Sequence, residues 1–217
     1  MNSVRVKICG ITRVEDAQAA LAYGADAIGL VFYDKSPRFV DIGTAQAIAR
    51  VVGPFVSVVG LFVNASPAEV QVTVSRVGLD LLQFHGDEDE LFCRQFDRPY
   101  VNAIRMLPGL DIEAEAKHFA CARGLLFDSW SESKYGGTGE TFDWHRLPDN
   151  IEKPLILAGG LTPDNIEKAV LETKPYAVDV SGGVEVAPGI KSAALIDRFI
   201  RRAKNAQNHT RSQERSL

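Results

Sequence analysis

No apolar run in this sequence approaches the roughly 20 residues that a helix needs to cross a bilayer. The start, Met1-Asn2-Ser3-Val4-Arg5, has no apolar stretch of the signal-peptide kind. A cytoplasmic protein with no membrane partner is expected. Cysteine is scarce: the three residues Cys9, Cys93 and Cys121 are odd in number and share no CxxC spacing. That argues against a disulfide framework and against a zinc site. His118 and His145 show no metal-ligand spacing, so no metal is expected. An excess of positive charge is missing too. With a net charge of −4 and a pI near 5.6, the chain has no electrostatic footprint for nucleic acid.

What is present fits one globular domain: 217 residues, 46% apolar and 24% charged. Short apolar or β-branched runs recur at Val4 to Cys9, Ala27 to Phe32, Val56 to Val63, Leu79 to Phe84, Tyr100 to Ile104, Gly124 to Phe127, Leu155 to Ala158 and Tyr176 to Val180. Most are too continuously apolar for a sheet with one wet face. They suit parallel strands covered on both sides, although periodicity alone leaves short buried helices open. Helix starts fall between them. Thr12-Arg13-Val14-Glu15 and Ser66-Pro67-Ala68-Glu69 read as capping boxes, and Thr162-Pro163-Asp164 as a start of the same kind. Cys93 and Cys121 lie in helical patterns and read as packing.

The strand signals recur about every 25 residues, near the minimum for a strand-helix unit. No GxGxxG follows the first strand, which weighs against a doubly wound dinucleotide fold. The expectation is an α/β fold, a single-domain (β/α)8 barrel over residues 1–204. The sixth unit is the least regular, with a polar, glycine-rich loop over 129–140 and a short helix near 142–147. Residues 205–217 are polar and aperiodic and read as a frayed tail.

In such a barrel the working groups sit just after the strands, on the C-terminal face. There the sequence places Cys9, Arg38, Asn64, His85, Arg105, Asp128, the pair Gly159-Gly160, and Asp179 followed by Ser181-Gly182-Gly183. Glycines let backbone N–H groups approach an anion, and the ends of the last two strands are where barrels commonly hold phosphate. Gly136 and Gly137 of the sixth loop could close over the same group. Any one pair alone is equally well a tight turn. Asp128, following Leu125-Leu126-Phe127, needs a partner or a purpose for its charge. Cys9 is a candidate base, with buried packing as the competing reading. His85 could position a substrate or sit in a turn. Arg38 and Arg105 could hold an anion, Arg105 being the more readily solvent-facing.

Taken together, the motifs VKICGIT (6–12), SPR (36–38), GLFVN (60–64), LQFHG (82–86), LFDS (126–129), GGTG (136–139), LAGGL (157–161) and DVSGGVE (179–185) resemble the phosphoribosylanthranilate isomerase family of tryptophan biosynthesis. The resemblance covers residues 4 to about 200; Phe84 stands where Leu would be equally expected. It implies an Amadori rearrangement of N-(5-phosphoribosyl)anthranilate to 1-(o-carboxyphenylamino)-1-deoxyribulose 5-phosphate. It also implies Cys9 as general base and Asp128 as general acid. Arg38, His85 and Asp179 would contact substrate. Gly136, Gly137, Gly159, Gly160, Ser181, Gly182 and Gly183 would hold its phosphate. No cofactor is called for, because the Schiff base forms from the substrate's own nitrogen. The partner is then a small phosphorylated molecule, and the chain a monomer or homodimer. Two rivals remain: another phosphosugar barrel enzyme, and a non-catalytic phosphometabolite sensor. The related indole-glycerol phosphate synthase would want a catalytic lysine at a strand end, where this sequence has Cys9 and keeps Lys7 inside the strand.

Overall fold

The structure is a computed structural model that describes residues 3–129, 141–148 and 151–214, the last eight by backbone alone. Each of the eight expected runs coincides with a strand, β5 and β6 running one residue further: β1 (Arg5–Ile8), β2 (Ala27–Val31), β3 (Ser57–Phe62), β4 (Leu81–Phe84), β5 (Tyr100–Arg105), β6 (Leu125–Asp128), β7 (Leu155–Leu157) and β8 (Ala177–Val180). Every strand runs parallel to the next, and β8 returns to β1 to close a barrel. Crossover helices follow: α1 (Val14–Ala22), α2 (Ile42–Ala49), α3 (Pro67–Val77), α4 (Glu90–Cys93), α5 (Ile112–His118), α6 (Ile166–Thr173) and α7 (Ala193–Glu214). Between β6 and β7 the described residues hold only a 3-10 turn, Trp144–Arg146, in keeping with the short helix expected there.

Side-chain alternation places the site. Val6 and Ile8, Leu82 and Phe84, Leu125 and Phe127, and Val178 and Val180 all belong to the apolar layer between sheet and helices. Successive strand residues point to opposite faces, so Lys7, Gln83, Leu126, Asp128 and Asp179 face the barrel interior. Cys9 and His85, one step past their strands, continue the same phase. Much of the outer layer is aromatic around β4. The Phe84 ring lies within 6.2 Å, centroid to centroid, of Phe62, Phe92, Phe96 and Tyr100, which gives its extra bulk over Leu a packed place.

The Ser66 capping box forms in full: Ser66 Oγ accepts from Glu69 N, and the Glu69 carboxylate accepts from Ser66 N. A cap of this kind contributes about 1 kcal/mol. Three expectations need correction. Thr12 does not cap α1; its hydroxyl donates instead to Gly189 O, tying the loop after β1 to a hairpin from the far end of the chain. Cys121 is exposed in a turn beyond α5, whereas Cys93 is buried at the end of α4. The boundary at 204 falls inside α7, where Ile196, Phe199, Ile200, Ala203 and Ala206 are buried. Alanine carries so little hydropathy that the end of this stripe was invisible in composition.

One element was unforeseen. After a 3-10 turn at Gly182–Val184, β9 (Glu185–Ala187) and β10 (Ile190–Lys191) form a small antiparallel hairpin. Among the described residues no helix is long and apolar enough to cross a membrane.

Candidate active site

Cys9, His85, Asp128 and Asp179 converge at the C-terminal mouth of the barrel, exposed by only 5%, 6%, 5% and 7%. Polar groups so thoroughly sealed need partners, and the partners define the site. His85 Nε2 stands 3.1 Å from Asp128 Oδ2, although its N–H is not aligned for a hydrogen bond. On the other side of the ring, Gln83 Nε2 lies 3.2 Å from Nδ1. With that amide donating, Nδ1 accepts and the ring proton sits on Nε2, facing the carboxylate. Gln83 and His85 lie two residues apart along β4, so both reach inward.

Across the mouth, Lys7 and Asp179 are register partners on β1 and β8, and Lys7 Nζ donates to Asp179 Oδ2 at 2.8 Å. Burial alone would lower the Lys7 pKa, but the Asp179 carboxylate and the Cys9 thiol outweigh it and the net shift is upward. Burial pushes the Cys9 thiol up; the neighbouring Lys7 ammonium works against that and Asp179 works with it. Asp179 Oδ1 is buried with no hydrogen-bond partner among the described residues.

Arg38 is held from a distant part of the chain. Its Nε and Nη2 donate to Glu185 Oε1 and Oε2 at 2.8 and 2.7 Å. Lys191 Nζ donates to the same carboxylate at 2.7 Å, and to Ser181 O and Oγ at 3.1 and 3.3 Å. Burial would raise the Glu185 pKa, but its two cations bring it below the usual carboxylate range. For Lys191, burial dominates and lowers the pKa. Glu185 grips the Nε–Nη2 edge of Arg38, and the Nη1–Nη2 edge of a guanidinium has a shape that matches a second carboxylate. Arg105, by contrast, pairs with Asp87 at the rim, and Asn64 donates to the same aspartate at 3.2 Å.

The two glycine loops abut. Gly159 has φ +82°, and a Cβ there would meet Ser129 N at 2.4 Å and Asp128 Oδ1 at 2.9 Å. A Cβ on Gly183 would lie 1.9 Å from Leu161 O, so the loop after β8 presses directly on the loop after β7. Gly160, Ser181 and Gly182 lie in these same segments, where backbone N–H groups can gather round one anion. Gly136 and Gly137 lie outside the described residues. Among those described, no three side chains of metal-ligating type cluster.

Sequence reasoning missed Lys7, Gln83, Glu185 and Lys191 as members of the site. Lys7 and Gln83 had a readable signal: each precedes a singled-out residue by two positions in a strand, which puts it on the same face. Glu185 closes the DVSGGVE motif but had no role read from it, and Lys191 had no signal, because the hairpin that carries them was not foreseen.

Comparison with known proteins agrees with the fold. The family described as N-(5'phosphoribosyl)anthranilate (PRA) isomerase matches residues 6–202. An N-(5'-phosphoribosyl)anthranilate isomerase of Pseudomonas putida is 55% identical over 206 residues, covering 95% of this chain and all of the relative. The crystal structure of phosphoribosyl anthranilate isomerase from Thermotoga maritima superposes with a TM-score of 0.86 at 39% identity, covering 93% of this chain and 99% of that one. A second such structure, in complex with reduced 1-(o-carboxyphenylamino)-1-deoxyribulose 5-phosphate, gives 0.83 at 38% identity over the same shares. The chain belongs to the phosphoribosylanthranilate isomerase family.

Proposed function

We propose that this chain catalyses the Amadori rearrangement of N-(5-phosphoribosyl)anthranilate to 1-(o-carboxyphenylamino)-1-deoxyribulose 5-phosphate, a step of tryptophan biosynthesis, in the cytoplasm. The observation that carries the reading is the shared mouth: a thiol and a carboxyl group, both turned inward, border two abutting glycine loops. The substrate offers an anion for each cationic feature. Its phosphate meets the N–H groups of Gly159, Gly160, Ser181, Gly182 and Gly183, with Gly136 and Gly137 contributing from the sixth loop. Its anthranilate carboxylate meets the outer edge of Arg38, whose inner edge Glu185 holds.

Asp128 then donates its proton to the ribose ring oxygen as the C1′–O bond breaks. The anthranilate nitrogen supplies the electron pair, so the open form is a Schiff base cation. Cys9 removes the proton from C2′, and the C2′–H electrons neutralise the iminium to give an enolamine. Tautomerisation of the enolamine yields the ketone. The first two protons move between a substrate atom and a named side chain; in the tautomerisation C1′ gains a proton and the 2′-hydroxyl loses one, so atoms and electrons balance with no other electron acceptor. The His85 ring stands beside Asp128, 3.1 Å from its carboxyl group. Asp179 Oδ1 is the acceptor for the anthranilate N–H. The phosphate fixes C2′ against the thiol, a positioning contribution of about several kcal/mol.

The experiment is direct: phosphoribosylanthranilate generated in situ loses its fluorescence as it is consumed. Purified protein should abolish the signal catalytically. Persistent fluorescence with folded protein would sink the assignment, and binding without turnover would mark a sensor. Monomer and homodimer are the assemblies proposed, and sedimentation distinguishes them.

A further inference from the structure

A buried lysine ammonium has three donors, and the Lys7 side chain is only 10% exposed. Among the described residues its oxygen partner is the Asp179 carboxylate. The remaining surroundings are given by Gly29 of β2: a Cβ built there would meet Cys9 Sγ at 2.8 Å and Lys7 Nζ and Cε at 3.0 Å each. Thiol and ammonium therefore crowd the same small space, and the absence of a side chain at position 29 is what leaves room for both. The alternation of β1 requires this proximity, since residues two apart on one strand share a face.

We propose that Lys7 is a positioning residue for proton abstraction: its ammonium, shared between Asp179 and Cys9, is the counter-charge against which the thiolate of Cys9 forms. The inference rests on Cys9 being the base. A thiolate at a site 5% exposed has little water to solvate it, so its charge must be met by the protein. The charged groups facing Cys9 are Lys7 on its own strand, Asp179 on β8, Lys191 of the hairpin and Arg38 after β2. Arg38 and Lys191 are both engaged by Glu185, and Lys191 influences the thiol less than Lys7 does. Lys7 is the strongest of the influences favouring the thiolate, and Asp179 opposes it. Asp179 thus restrains the ammonium: a carboxylate that draws Lys7 toward itself leaves less of it for the sulfur.

This arrangement is tested by titrating the Cys9 thiol in the free protein, through its ultraviolet thiolate absorbance relative to a matched Cys9→Ser background. Lys7→Met alone would strand the Asp179 carboxylate in the interior, so the decisive comparison is Asp179→Asn against Lys7→Met/Asp179→Asn, which removes the ion pair as a unit. Asp179→Asn should titrate at lower pH than the parent, because the ammonium then serves the thiol alone. The double variant should titrate at higher pH than Asp179→Asn, with about tenfold less thiolate, or lower still, at a fixed pH below the midpoint. The ascending limb of kcat/KM should move with the thiol in each variant, which a merely structural lysine would not produce. If the double variant titrates with Asp179→Asn, Lys7 is only a clamp for Asp179 and the inference falls alone. If Cys9→Ala keeps full turnover, the base assignment falls and takes this inference with it.

Discussion

His85 Nε2 and Asp128 Oδ2 lie 3.1 Å apart in a pocket where both side chains are 7% exposed. The ring is oriented from behind by Gln83, so the carboxyl group proposed as the acid has one fixed neighbour. His85→Asn should lower kcat by about tenfold to a hundredfold, a smaller loss than that of the acid itself. Steady-state assay of folded variant protein checks it, and an unchanged kcat would show that Asp128 needs no help from the ring.

Cys9→Ala and Asp128→Asn should each reduce kcat by about 10²- to 10⁴-fold with limited change in KM, as expected when a proton-transfer group is lost and binding is retained. Fluorescence decay under saturating substrate measures both. Turnover at the parent rate in either variant removes that residue from the mechanism.

Because burial raises the thiol pKa despite Lys7, the thiolate is the minority form at neutral pH. For a base of this kind kcat/KM reports the free enzyme, so the rate should climb about tenfold per pH unit and keep climbing into the ordinary thiol range near 8.5. A plateau already reached well below neutrality would be incompatible with Cys9 as the base.

Glu185 carries the acid sensitivity of the Arg38 clamp. Its folded-state pKa is depressed, so its contribution is fully present above the ordinary carboxylate value and is lost as pH falls through the depressed one. Glu185→Gln should cost about 3 kcal/mol at neutral pH, because Arg38 and Lys191 are left beside a neutral amide. It should also flatten this part of the acid transition and raise KM. Thermal melts across the acid range, with KM alongside, report all three.

Gly183→Ala should damage phosphate binding through the backbone. Its Cβ would lie 1.9 Å from Leu161 O, and carbonyl backbone cannot swing aside as a side chain can, so the two loops must part. A loss of about 1–3 kcal/mol is expected from such overpacking, together with a rise in KM. Wild-type affinity for a phosphorylated product analogue would show that the loops need not touch.

Much of the barrel is legible in the sequence. Strand identity depends on local runs such as Ala27 to Phe32, and the Ser66 capping box depends on four consecutive residues. The Thr12 motif has the same local pattern, yet its hydroxyl went to Gly189, 177 positions away. A local cap had lost to a tertiary partner, which no window of sequence can weigh.

The candidate site divides along the same line. Sequence by itself determined which residues stand at the strand ends, and alternation along β1 and β4 determined that Lys7 accompanies Cys9 and Gln83 accompanies His85. Only the closed barrel decided which charges meet. Lys7 and Asp179 are 172 residues apart, and Arg38 and Glu185 are 147 apart. Their pairing requires β8 to return beside β1 and the hairpin after it to fold over the loop after β2. The physical reason is range: side-chain periodicity is a property of a few neighbouring peptide units, whereas an ion pair depends on distances that closure alone makes small.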